Sequence, residues 1–446
     1  MDKIVVPELD QVTRLRNQKE YTKAWVALTV ISTSWKNTGP DTLLSFPLPK
    51  FSQQELPLLV KFAEEVTICA YYVGNNQIGL LACNLLFCLN SSCNKQMVGN
   101  NLQFYVDCMP FISVIDLCHQ FVTFPKYSRS NPSAINWDND LLINCRLVNY
   151  TQEGATHFKS NDADGKIRTR NLIKRCRFNE SGTDLEPVGP VSELVDENNA
   201  YKTGDARVLG MEDIRLFKAA DDCWCLATSQ CASIHTKVSI VLCYLGPSKT
   251  FNRSNKTQPI TVTGIIVPEQ QNCEKNWNIL TDRNKIYLVY QICPSKVFLL
   301  ADLDDPNNNL VKAKTNFGSI PLKLTNPIVH THPYLAINDT RGGTNYIPYR
   351  LGDKDGFLCM GHHVVFRDKR RYYYHRWVFL TKKDGAYGID SCSGLFYLME
   401  QGIEFAVSLS KHPKLPLYYI GCGIEDKDAM LLSYHKDQID SQLIFN

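Results

Sequence analysis

The sequence predicts an all-β, five-bladed β-propeller that carries an N-terminal α-helical, solenoid-like cap. Three observations predict it. Short runs rich in Val, Ile, Tyr, Phe and Leu recur from about residue 110, among them "DLLINCRLVNY", "KVSIVLCYLG" and "NKIYLVYQICPSKVFLLADL", parted by Asn, Asp, Gly and Lys turns. Five comparable groups of such runs fit between 128 and 440, at roughly 60 residues each, which is longer than a minimal four-stranded blade. The first 107 residues instead carry apolar side chains at helical spacing.

In order along the chain, residues 19–35 place Tyr21, Trp25, Leu28, Ile31 and Trp35 on one stripe of an amphipathic helix. A second helix, 52–74, starts at a Ser cap and ends at Gly74. Residues 76–90 form the return helix and 100–109 a shorter fourth. Such pairs predict a tetratricopeptide-like cap over 1–110, too few units for an array, followed by a propeller catalytic domain over 125–446. The stretch 179–205 is then a loop insertion.

The 446 residues suffice for two domains with real cores. A net charge of +3 forecasts neither bulk nucleic-acid binding nor a polybasic membrane anchor. Basic clusters do occur at 166–177 and 367–377. Seventeen cysteines without C-x-x-C spacing fit a reducing compartment, where Cys serves as a small buried hydrophobe. The start lacks the apolar core of a signal peptide, and no apolar run is long enough to span a bilayer. The expectation is a cytoplasmic protein.

Four islands could carry chemistry. "ARVLGMEDIRLF" (206–217) sets Glu212, Asp213 and Arg215 inside a strand-like run that should exclude acids. Alternation puts Asp213 and Arg215 on one face, where a carboxylate beside a guanidinium suits proton transfer to a sugar oxygen. Spacing alone favours a structural ion pair between blades. "CEKNWNIL" (273–280) gathers Lys275, Asn276 and Trp277, able to hold a phosphate and stack on a pyranose; a solvated turn with a buried Trp is the alternative. In "RGGTNYIPYR", Gly342 and Gly343 would let backbone approach a ligand that Arg341 grips, unless they form a hairpin turn. "GHHVVF" and "YYYHRW" set His362, His363, Tyr374, His375 and Arg376 on neighbouring strands as an oxyanion or phosphate grip, with no metal-ligand pattern. "VHTHP" (329–333) reads as a loop. In the basic run, Arg170 and Asn171 are the pair to watch. There is no Walker loop, no G-x-G-x-x-G and no G-x-S-x-G.

The islands "NPSAI", "CRLVNY", "RTRN", "MEDIRLF", "EKNW", "RGGT", "GHH", "YYYH" and "GCGIEDKDAML" follow one another in an order that resembles the β-mannoside phosphorylase superfamily, glycoside hydrolase family 130, with its β-1,2-mannosyltransferase/phosphorylase relatives. The similarity covers about 125–440, and the count of five blades rests partly on it. It implies an active site at the mouth of the axial channel, with no metal or other cofactor. The family's catalytic acid falls on Asp213, flanked by Glu212 and Arg215; Arg146 and Lys275 match the motif arginine and lysine. Asn131 and Ser133 resemble the sugar-contacting start of the first blade, and Asp426 would contact a sugar. The sequence departs from the family at Ile214, where proline is usual, and after the Gly-Gly-Thr. Together these imply an inverting glycosyltransferase or glycoside phosphorylase acting on a β-mannosidic or similar bond. Its partners are a sugar or glycan acceptor and a sugar-phosphate or nucleotide-sugar donor, and the cap is assigned protein contacts or oligomerisation. The rival is a non-catalytic glycan-binding or scaffold propeller.

Overall fold

The computed structural model describes residues 2–446 except 37–38, 45–54, 89–102, 104, 123, 154–157, 197–207, 230–237, 248–250, 252–255, 269–270, 272, 293–295, 316–318, 326–339, 384 and 444–446. Among the described residues the chain opens with five helices: α1 (Asp2–Asn17), α2 (Tyr21–Lys36), α3 (Pro40–Leu44), α4 (Leu56–Tyr72) and α5 (Asn76–Cys88). The sequence reading did not place α1, whose segment carries Pro7 inside it. Glu65 on α4 holds it down, accepting from Thr13 Oγ1 and Arg16 Nε at 2.7 Å each. Of the fourth expected helix, residues 103 and 105 are helical, whereas 106–109 are not, Cys108 bridging instead to Tyr397. No described helix is long and apolar enough to cross a membrane. Leu9, Leu28, Phe62 and Val66 close a helical core against Val365, Tyr374 and Leu395 of the β region.

The remainder is mostly β. A strand β1 (Ser113–Asp116) precedes five antiparallel sets. The first is β2 (Ser128–Trp137), β3 (Asp140–Val148) and β4 (Ile167–Phe178). The second is β5 (Glu212–Ala219), β6 (Asp222–Ser229), β7 (Ser239–Pro247) and β8 (Thr257–Ile266), joined to the first by residues 192–196, which run parallel to β8. The third is β9 (Asn278–Asp282), β10 (Lys285–Gln291) and β11 (Lys296–Asp302). The fourth comprises the short β12 (Arg341–Gly342), then β13 (Lys354–Arg367), β14 (Arg370–Lys383) and β15 (Ala386–Cys392). The fifth is β16 (Glu404–Lys411), β17 (Leu417–Ile424) and β18 (Asp428–His435), completed by β1 pairing antiparallel with β18.

Apolar side chains fill the spaces between neighbouring sets. Trp137 and Leu142 meet Ile214 and Val241 between the first and second; Leu242 meets Trp277 and Leu288 between the second and third. Val289 meets Val378, Met360 meets Leu432, and Leu431 returns to Leu141 and Ile143 of the first set. The packing therefore runs in a closed cycle, which buries each sheet on both faces. Polar side chains stitch the leading strands inside it. Ser133 Oγ accepts from Leu216 N at 2.9 Å, Ser408 Oγ accepts from Ala134 N at 2.8 Å, and Asn345 exchanges bonds with the Leu409 backbone.

Candidate active site

The leading ends of these strands surround a cavity of about 280 Å³. Two irregularities shape its floor. Pairing of β2 with β3 shifts between Ser130 and Ser133, and pairing of β5 with β6 shifts between Glu212 and Arg215. At each bulge one residue takes the left-handed region: Asn131 at φ +45° and Asp213 at φ +48°. Asn and Asp are the non-glycine residues that tolerate it best. Asn276 (φ +65°) and Asp426 (φ +52°) do the same on two further sets. Four cavity-lining polar residues thus share a costly backbone state, a pattern typical of functional sites.

The bulge overturns simple alternation. Glu212 and Asp213 both face the cavity, and Arg146 on β3 bonds both: Nη2 donates to Glu212 Oε1 at 2.8 Å and Nη1 to Asp213 Oδ1 at 3.0 Å. Asn131 Nδ2 donates to the same Asp213 oxygen at 2.9 Å, and Lys275 Nζ reaches Glu212 Oε2 at 3.3 Å. Arg215 makes no side-chain ion pair with Asp213. It is buried, donating Nη1 to the Asp213 carbonyl at 3.3 Å and Nε to the Gly343 carbonyl at 3.2 Å. On the far side Asp426 lies 3.1 Å from both Ser130 Oγ and Tyr150 OH. Asp213 keeps 12% of its side chain exposed, Glu212 16% and Lys275 42%.

Charge is unevenly distributed. Burial opposes ionisation of Asp213, but Arg146, Lys275, Arg215 and the Asn131 amide outweigh it and hold the carboxyl below its ordinary range. Asp426 is pushed up, foremost by burial. The Glu212 carboxylate raises Lys275. Burial, with His375 and the Arg341 and Arg215 cations nearby, holds His362 well below the usual imidazole range, so that ring lines the cavity neutral.

Other expected residues stand elsewhere. Tyr374 points into the helical core, away from the cavity, because its neighbour Tyr373 takes the inward position on β14. His375 is fully buried between sets, its ring 6.5 Å from Phe396, and does not line the cavity. Trp277 is core, with Nε1 donating to Glu274 at 3.2 Å, so it offers no stacking face. Arg170 is forked onto Glu193 and stacked on Phe124 at 3.7 Å, outside the cavity. Ser133, Asn171, Gly342 and Gly343 are buried supports. Asn171 Nδ2 holds the Met211 carbonyl at 3.0 Å, and a Cβ on Gly342 would stand 2.1 Å from the Asn276 carbonyl. Arg341, His362 and Asn276 do line the cavity. The "VHTHP" loop lies outside the described residues.

Sequence reasoning missed Tyr150, Arg371, Tyr373 and Phe405, which also line the cavity. Tyr373 stacks on His362 with centroids 5.5 Å apart, and Phe405 meets the same ring edge-on at 5.2 Å. Among the described residues no cluster of His, Cys, Asp and Glu could hold a metal ion.

No family model matches the chain, and neither does any curated protein. Solved structures similar to it include members of the mannoside phosphorylase family that its sequence resembles. One is the β-1,2-mannobiose phosphorylase of Listeria innocua, at 14% identity and TM-score 0.44, covering 72% of this chain and 94% of that one. Another, from work on the family's hydrolases of β-1,2-mannosidic linkages, has 13% identity and TM-score 0.37, covering 70% and 85%. A GDP-Man-dependent mannosyltransferase from Leishmania mexicana has 12% identity and TM-score 0.41, covering 73% and 90%. At that distance the likeness carries no residue roles across.

Proposed function

We propose that residues 125–446 form a five-bladed β-propeller catalytic domain, capped by the tetratricopeptide-like helices of 1–110, and that the chain is an inverting glycosyltransferase or glycoside phosphorylase acting on a β-mannosidic or similar bond. The five antiparallel sets, packed in a cycle and closed by β1 on β18, support the architecture. One observation supports the chemistry above the rest. Asp213 sits at a left-handed bulge, bonded by Arg146 and Asn131, with an oxygen facing a water-reachable cavity rimmed by Lys275, Arg341 and Arg371.

In this reading Asp213 moves the proton. In cleavage, its carboxyl protonates the departing glycosidic oxygen through a sugar hydroxyl, while a phosphate oxygen bonds the anomeric carbon from the opposite face and the old C–O bond breaks. In synthesis the same steps reverse, and the carboxylate takes the proton of an acceptor hydroxyl as the donor's phosphate leaves. Because the surrounding cations keep Asp213 ionised, the resting site is prepared for synthesis. Arg341 and Arg371, with Lys275, would receive the donor's phosphate. Asn131, Glu212, Asn276 and Asp426 would contact the sugars. The exposed Val26, Val30, Tyr71 and Tyr72 would give the cap a surface for protein contacts, and the free thiols suit a reducing compartment such as the cytoplasm.

Incubation with mannose 1-phosphate or GDP-mannose and a panel of glycan acceptors tests the proposal. New oligosaccharide with released phosphate or GDP is expected, and Asp213→Asn should abolish it while the protein stays folded. Sugar binding without any product from either donor would establish the scaffold alternative instead.

A further inference from the structure

The hydrogen bonds joining Asp213 to Asp426 set one serine proton between two acceptors. Asp213 Oδ1 receives Arg146 Nη1, so it is an acceptor, and the Asn131 group 2.9 Å from it must be the amide nitrogen. The Asn131 oxygen then faces Ser130 Oγ at 2.9 Å and accepts from it. A hydroxyl has one proton. Its other contact, Asp426 Oδ1 at 3.1 Å, is a second acceptor for that one proton. A proton on Asp426 would give this contact a hydrogen of its own, with Ser130 accepting it. The second Asp426 oxygen faces Tyr150 OH at 3.1 Å and accepts from it, which would then complete a chain in which every contact carries its own hydrogen.

We propose that the Asp213–Asp426 pair rests with a single negative charge, its proton on Asp426, and that Asp426 is thereby a specificity residue that admits an anionic sugar donor to the cavity. The two carboxyls have opposite surroundings. Asp213 is bonded by a guanidinium and an amide, whereas Asp426 is bonded by two neutral hydroxyls. Arg146, Asp213, Tyr150 and Tyr373 bear on Asp426, with Glu212, Lys275, Arg341 and Arg371 in the same cavity; its neighbour Glu425 turns away to accept from Ile403 N at 3.0 Å. Burial acts in the same direction by disfavouring a second anion. In a cavity that already holds Glu212 and Asp213, an ionised Asp426 would offset a further share of the Arg146, Lys275, Arg341 and Arg371 charge and weaken the hold on a phosphate. With Asp426 neutral, Arg341 and Arg371 remain available to the donor, and the acid's O–H can turn to a sugar hydroxyl.

The inference concerns the cavity of the proposed function, but its test does not use turnover. Infrared spectra of the full chain at neutral pH should show a protonated carboxylic-acid carbonyl band that Asp426→Asn removes. Differencing against this variant is needed because burial also pushes Glu404 up to about 7. Ser130→Ala should shift the same band, so the result does not depend on one variant folding. Binding of sulfate, whose charge is fixed over the range, should weaken in the wild type by roughly tenfold as Asp426 loses its proton, the scale of one added like charge in a partly buried site. In Asp426→Asn it should stay flat. Absence of both the band and the shift would mean that Ser130 shares its proton between two acceptors, and would overturn the proposal. Inactivity with both donors alongside an intact band would instead defeat the proposed function alone.

Discussion

Arg146 Nη1 and Asp213 Oδ1 meet at 3.0 Å, while the same guanidinium holds Glu212 through Nη2 at 2.8 Å. One cation therefore balances two adjacent carboxylates that alternation would have sent to opposite faces. Its side chain is 4% exposed, so the pair works in a low-dielectric setting where an unbalanced charge is costly. Arg146→Ala should lower stability by about 3 kcal/mol, the scale of breaking a buried pair. It should also raise the Asp213 pKa. Chemical denaturation reads the first and the pH–rate profile the second.

The same contact sets a pH dependence. Asp213 has a folded pKa below its unfolded value of about 3.9, so the unfolded chain binds more protons as acid is added. Its stabilising contribution is complete above that unfolded value and is lost as pH falls through the folded one. Catalysis should follow a related asymmetry. In the proposed mechanism, cleavage needs Asp213 protonated and should slow as pH rises above the folded pKa, whereas synthesis needs it ionised and should not decline on that account. Initial rates of phosphorolysis and of synthesis across pH would separate the two limbs.

Gly342 is predicted to be intolerant. A methyl there would stand 2.1 Å from the Asn276 carbonyl and 2.8 Å from Asn278 Nδ2, and neither backbone nor buried amide can yield cheaply. Gly342→Ala should therefore cost about 1–3 kcal/mol of stability. It should also displace the Lys275–Asn276 corner, raising KM for a phosphate donor more than it lowers kcat. Steady-state kinetics on the folded fraction would show that split.

How much of this was legible in the sequence depends on which physical rule governed each residue. Short runs rich in apolar side chains identified the strands, as in β3 and β17, which are buried on both faces and so carry no period-two pattern. The bulge at Glu212–Arg215 was not legible, since Asp occurs far more often at ordinary backbone positions than at left-handed ones, and only the shifted register reveals it. Asn131, Arg146, Lys275 and Asp426 were reached through ordered resemblance, because their convergence arises from sets far apart in the chain. In "YYYH" the period was clear but its phase was not. Which of Tyr373 and Tyr374 faces inward depends on helices packing against the other face of β14, a tertiary fact that no local spacing contains.

Trp277 separates packing from binding. It is 1% exposed in the core between the second and third sets, beside the cavity-lining Asn276. Trp277→Ala should cost about 3–5 kcal/mol, the range for truncating a buried aromatic, whereas Asn276→Gly, which accommodates the left-handed φ of +65°, should weaken sugar binding with little change in stability. Thermal denaturation and glycan titration of the two variants would test the contrast.

For the proposed phosphate grip, Arg371 lines the cavity and His375 does not. Arg371 stands there next to Tyr373, and its guanidinium can fork to an anion. Arg371→Ala should reduce affinity for a phosphate-bearing donor by about 10- to 100-fold, the scale of losing a charge-assisted bond of ~1.5–3 kcal/mol. His375 is buried, and burial holds its pKa down to about 3, so it is neutral in solution near pH 7 and cannot add charge to that grip. Its effect belongs to stability. Because the unfolded imidazole titrates near 6.5, the folded state loses stability as pH falls from there toward 3, by up to about 1.4 kcal/mol per pH unit. His375→Phe should remove that acid-side slope and leave donor affinity as it was, while Arg371→Ala should do the reverse. Calorimetric donor binding paired with denaturation at several pH values distinguishes them; a His375→Phe variant that loses donor affinity as Arg371→Ala does would return the histidine to the site.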